Sequence, residues 1–138
     1  PDAFAQAQAR ELMSLCYADP RRLPKQRQQD MVVEVKRRMA LPYNSDIAAA
    51  SARALFDAAA ADKGRSIWRL ARQIDAPTFA IYGTDDQLVP VELAPKAASS
   101  FRNSQVTIPP DCGHCAQMDH PRLTAQLFLQ WLATTGAA

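Results

Sequence analysis

Two short segments hold the residues best suited to chemistry: Gly83-Thr84-Asp85-Asp86-Gln87-Leu88-Val89-Pro90 and Gly113-His114-Cys115-Ala116-Gln117-Met118-Asp119-His120-Pro121. A histidine takes up and returns protons near neutral pH, and a carboxylate beside it can hold the ring's tautomer and stabilise its charged form. Such a pair activates a nucleophile but does not replace one. Plainer roles stay open: Asp86 as a helix cap, His114 as a hydrogen-bonded loop histidine.

Cys112-Gly113-His114-Cys115 offers a second chemistry, thiol–disulfide exchange, because CGHC is also the tetrapeptide of disulfide-isomerase domains. A thioredoxin-like fold needs further strands after that motif, and here only residues 116 to 138 follow; Asp111 also stands where a tryptophan usually precedes it. On oxidation a Cys112–Cys115 bond stays open. Zinc is a weaker reading, since one CxxC with His114, His120 and the distant Cys16 lacks a second ligand pair at finger-like spacing. No metal and no cofactor are expected.

The elements that must position these segments are legible from periodicity. Ala5, Ala9, Leu12 and Cys16 recur at helical steps over residues 3–17, and Met31, Val32, Val35 and Met39 form the apolar stripe of a second helix starting near Pro24. Asn44 suits the N-cap of a third, alanine-heavy helix that includes Leu55 and Phe56 and ends at Asp62-Lys63-Gly64. A short helix over Ile67 to Gln73 comes next. Beyond Pro77, Thr78 to Tyr82 reads as a strand buried on both faces, then come a helix from Val91 to Phe101 and a strand from Gln105 to Ile108. A last helix from Pro121 to Thr134 places Leu123, Leu127, Phe128, Trp131 and Leu132 on its buried side. Strand, helix, strand, helix indicates a parallel α/β layer, and both chemistry-bearing segments sit where its strands end, the usual place for a site in an open sheet.

At those two segments the chain resembles the α/β-hydrolase superfamily, whose later strands are followed by G-x-x-D-x-x-[VT]-P and then by G-H-x-x-x-x-[ED]-x-P; both patterns match without a gap. The resemblance implies an α/β fold comprising the C-terminal part of the parallel sheet, two strands with flanking helices, preceded by an all-helical cap. Residues 1–73 would be the cap or lid segment and 74–138 the C-terminal part of the hydrolase core. By the same resemblance Asp86 is the triad acid and His114 the triad base. Asp85, one position early, falls to the turn, and His120, just ahead of Pro121, to structure. The glycines Gly83 and Gly113 are read as letting the backbone turn sharply.

One departure decides what the chain can do alone. No G-x-S-x-G occurs, Ser14, Ser45, Ser51, Ser66, Ser99, Ser100 and Ser104 all lack that context, and no HG-type oxyanion loop is present. The expectation is therefore a fragment of a serine-type hydrolase, esterase- or lipase-like, inactive by itself; Pro1 in place of methionine suits a start inside a longer product. Epoxide hydrolases and dehalogenases of the superfamily, with an aspartate nucleophile, are the alternative. Tyr17 and Tyr43 could polarise an epoxide oxygen, and Met13, Met31 and Met39 could line a lid pocket for an acyl or alkyl group; packing is the plainer role for all five.

Composition narrows the classes further. The 138 residues are 48% hydrophobic and 22% charged with a formal net charge of +2, as in a globular protein. Residues 1–75 hold 13 Lys and Arg against 9 Asp and Glu, yet Asp19, Asp30 and Glu34 interleave the basic clusters and no stacking aromatics accompany them, so a solvated helix face is read rather than a nucleic-acid surface. No apolar run spans a membrane, no basic-then-apolar leader is seen, and an odd three cysteines suit a reducing, cytoplasmic setting. The expected partners are a small apolar ester-like substrate and either the missing front half or a second copy of the chain, giving an oligomer. A non-catalytic interaction domain on the same scaffold is the remaining alternative.

Overall fold

The computed structural model describes residues 2–60 and 66–135, with the side chains of residues 59 and 60 left aside. The helix stop expected at Asp62-Lys63-Gly64 lies outside the described residues.

Helix α1 (Asp2–Cys16) buries Ala5, Ala9 and Met13, four residues apart on one face. The small side chains of Ala5 and Ala9 let α2 (Lys25–Met39) approach closely, and Val35 packs on them with Leu12, Met31 and Val32 around. Met39, expected in the same stripe, is exposed. Between the helices lies a 3-10 turn, Pro20–Arg22, capped by the Asp19 side chain. Here and on α2 the basic clusters are satisfied locally: Arg21 and Arg22 pair with Asp19, while Arg37 and Arg38 share Glu34, whose carboxyl their hydrogen bonds hold down to about 2.

Helix α3 (Asn44–Ala60) begins at Asn44 itself, with the Tyr43 carbonyl accepting from the Ile47 N–H, one residue before the cap the sequence suggests. It buries none of its described side chains; Leu55 and Phe56 are 73% and 75% exposed. The short α4 (Ile67–Ala71) leads to the sheet.

Strands β1 (Thr78–Ile81) and β2 (Ser104–Thr107) pair in parallel with Thr78 opposite Ser104 and Ile81 opposite Thr107. Their connection is a 3-10 turn at Val91–Leu93 and then α5 (Ala94–Ser100), rather than one helix from Val91 to Phe101. Pro95 accounts for the break, since a proline fits only the first turn of an α-helix. Helices α6 (Ala116–Asp119) and α7 (Pro121–Thr135) complete the described elements. One face of α7 docks on β1 through Phe79, Phe128 and Trp131, with ring centroids 5.6 to 6.5 Å apart.

Three sequence expectations are corrected. All four β1 residues are half-buried, not buried on both faces, because only β2 pairs with β1 among the described residues. For the same reason the two-stranded sheet cannot cover the whole apolar side of α7: Leu123 and Phe128 are exposed, while Leu127, Trp131 and Leu132 are half-buried. Strand β2 also starts one residue earlier than expected and leaves Ile108 exposed beyond its end.

Candidate active site

The site forms where the two strands end. After Ile81 the Tyr82 N–H still donates to the Thr107 carbonyl, and then the chains diverge into two loops packed back to back. Gly83 is buried at their contact, where a Cβ would overlap the carbonyls of Cys112 and Gly113. Gly113 is held as tightly from its other side: its Cβ would fall 2.6 to 2.9 Å from backbone atoms of Ala18, Tyr17 and Cys16. Neither glycine has a positive φ, so close approach of backbone, and not a sharp left-handed turn, is what requires them. The residue in this segment that does take a positive φ is Asp111, at 51°.

Asp86 lies in the turn after Gly83 with only 6% of its side chain exposed. Its Oδ1 accepts hydrogen bonds from the backbone N–H groups of Leu88 at 2.8 Å and Val89 at 2.9 Å, and its Oδ2 lies 2.9 Å from His114 Nδ1. Burial pushes the carboxyl up, but the Val89, His114 and Leu88 hydrogen bonds outweigh it and hold the group below its ordinary value. An ionised carboxylate only accepts, so Nδ1 carries the proton and Nε2 keeps a free lone pair. The His114 side chain is 38% exposed. The structure thus brings Asp86 and His114 together in a geometry able to move a proton, and leaves Asp85 outside: among the described residues its carboxylate accepts only from the Thr84 hydroxyl, at 2.8 Å.

Asp119 supplies a clamp that sequence reasoning passed over. Its Oδ2 accepts from the Gly113 N–H at 2.7 Å and the Ala18 N–H at 2.9 Å, joining the histidine loop to the end of α1. The acidic position of the second motif was the available signal, but read along the chain it marks only the start of the last helix. His120 donates from Nε2 to the Asp111 carbonyl at 2.8 Å, which braces the strained residue. Tyr17 is buried against the same loop, whereas Tyr43 is exposed. Met13 is buried and Met31 packs on the α1–α2 cluster.

Neither thiol of CGHC is set up as a nucleophile. Cys112 is completely buried, with its sulfur 3.6 Å from the Gly113 carbonyl, and burial followed by Asp119, Asp85 and Asp86 pushes it up to about 11. Cys115 is raised to about 11 by burial and by Cys16. Exchange catalysis needs a thiol shifted the other way. A cleft of about 370 Å³ runs along the histidine loop between Tyr17, Leu23, Met118 and His120; Asp86 and His114 do not line it.

The alpha/beta hydrolase fold family matches residues 2–121 of this chain. Monoacylglycerol lipase ABHD6 of Bos taurus is 34% identical to it over 125 residues, covering 90% of this chain and 34% of that protein. The 2-hydroxy-6-oxo-6-(2'-aminophenyl)hexa-2,4-dienoic acid hydrolase of Metapseudomonas resinovorans is 39% identical over 62 residues, 45% of this chain and 21% of that protein. Among solved structures, a membrane phospholipase A described as a bacterial virulence factor superposes with a TM-score of 0.69 at 19% identity, covering 96% of this chain and 39% of the other. The chain spans about a third of the length of the first of these curated relatives.

Proposed function

Because the chain belongs to the alpha/beta hydrolase fold family, we propose that Asp86 and His114 are the acid and base of a catalytic triad in a longer hydrolase. His114 Nε2 takes the proton from a serine hydroxyl as it attacks the substrate carbonyl, then returns it to the departing group. Asp86 holds the ring with its proton on Nδ1 and stabilises the imidazolium that forms. The observation that carries this reading is the 2.9 Å contact between a buried, ionised carboxylate and Nδ1 of a half-exposed histidine.

The nucleophile and the oxyanion donors come, in this reading, from sequence outside these 138 residues, and the chain alone turns nothing over. The substrate class is an ester with an apolar acyl or alkyl part, in keeping with the lipase named among the relatives. Residues 1–73 act as the cap and residues 74–138 as part of the core. The bare face of α3 and the edge of β1 that no described strand pairs supply the surfaces on which the rest of the enzyme packs.

The test uses the longer protein containing this chain, assayed with p-nitrophenyl esters and an organophosphonate that labels activated serines. His114→Ala lowers kcat/KM by roughly 10³-fold or more and abolishes labelling if the reading holds. Undiminished turnover in that variant overturns it. Turnover that depends on His114 without serine labelling transfers the nucleophile role to an aspartate.

A further inference from the structure

The three cysteines are not equivalent. Cys112 and Cys115 are neighbours in sequence, yet Cys112 is sealed behind the back-to-back loops with its sulfur turned to the Gly113 carbonyl. Cys115 faces the other way, toward the last residue of α1. Its backbone N–H donates to the Cys16 carbonyl at 2.9 Å, which sets the two residues against one another. One backbone N–H···O=C bond of this length leaves the two Cα atoms roughly 5–6.5 Å apart, within the span a disulfide requires. Both residues are half-buried, so a small oxidant reaches them where it does not reach Cys112.

We propose that Cys16 and Cys115 form a redox-sensitive strap that covalently ties the end of α1 to the loop carrying His114, in place of the Cys112–Cys115 bond that CGHC suggests. The oxidant class is a hydroperoxide. The Cys16 sulfur attacks a peroxide oxygen, the O–O bond breaks, and a sulfenic acid and one water form. The other thiol then attacks that sulfur, the S–S bond forms as the S–O bond breaks, and a second water leaves. Two thiols are oxidised by two electrons, and hydrogen peroxide is reduced to two waters.

In the reduced state the same junction is held by hydrogen bonds alone, from Ala18 and Gly113 to Asp119 and from Cys115 to Cys16. The disulfide closes a loop of about 100 residues, from residue 16 to residue 115, which restricts the unfolded ensemble strongly. Histidine-loop seating then no longer depends on Asp119.

The 138-residue chain is incubated with hydrogen peroxide, its remaining thiols are alkylated under denaturing conditions, and its peptides are mapped without reduction. The expected result is a Cys16–Cys115 linkage with Cys112 alkylated, and a Tm raised by on the order of 10 °C that dithiothreitol reverses. Cys112→Ala keeps the linkage and the shift, whereas Cys16→Ser loses both. A Cys112–Cys115 linkage, an intermolecular bond as the main product, or oxidation of single cysteines without the 16–115 peptide overturns the proposal.

Discussion

Asp86 concentrates more of the site's physics than any other side chain described. Three donors converge on it, two from backbone and one from His114, and together they keep it ionised despite its burial. A carboxyl held below its ordinary 3.8 in the folded chain contributes stability at every pH above that value. As pH falls below it the unfolded chain takes up the proton first, so the contribution drains away through the folded-state value. Asp86→Asn should therefore cost about 1–3 kcal/mol at pH 7, and its unfolding free energy should fall less steeply below pH 4 than that of the native sequence in urea titrations. Equal slopes would show that the three hydrogen bonds do not discriminate between protonation states. Asp86 and His114 were legible in the sequence because two spaced patterns named them. What the patterns concealed was the reason for their glycines, since residues 83 and 113 lie 30 positions apart and only the fold shows that their backbones touch.

Among the elements, periodicity identified α1, α2 and α3 because alanine and aliphatic residues recur at helical spacing there. It missed α6, a single turn whose residues, Ala116 to Asp119, carry too short a pattern to register, and the 3-10 turn at Pro20–Arg22. Both lie beside the site, and their positions follow from one long-range contact, the Asp119 carboxylate between Gly113 and Ala18, separated from the latter by 101 residues. Removing it strands two backbone N–H groups at a tight junction. Asp119→Ala should lower stability by about 2–3 kcal/mol, while Asp85→Ala, whose carboxylate meets only a hydroxyl, should stay within about 0.5 kcal/mol. Thermal unfolding of the two variants side by side measures the difference; equal losses would mean that the clamp is dispensable.

For the molecule as a whole, the described residues divide into an α1–α2 pair with its own apolar seam, a two-stranded sheet with α5 and α7, and a helix α3 that buries almost nothing. Ile47, Leu55 and Phe56 on α3, together with the half-buried β1, amount to apolar surface and strand edge that a stable isolated protein covers or blunts. We expect the 138-residue chain to self-associate, giving a light-scattering mass above 15.2 kDa at micromolar concentration. A monodisperse monomer there would remove the argument for a covering partner. The trio of Phe79, Phe128 and Trp131 has a practical corollary. The chain holds two indoles, and Trp68 lies beneath the Lys96 ammonium at 4.7 Å, outside the aromatic stack on β1. With Trp68 replaced by phenylalanine, the remaining fluorescence would report a single event, the seating of the final helix upon its strand, giving the fold an optical gauge of its own.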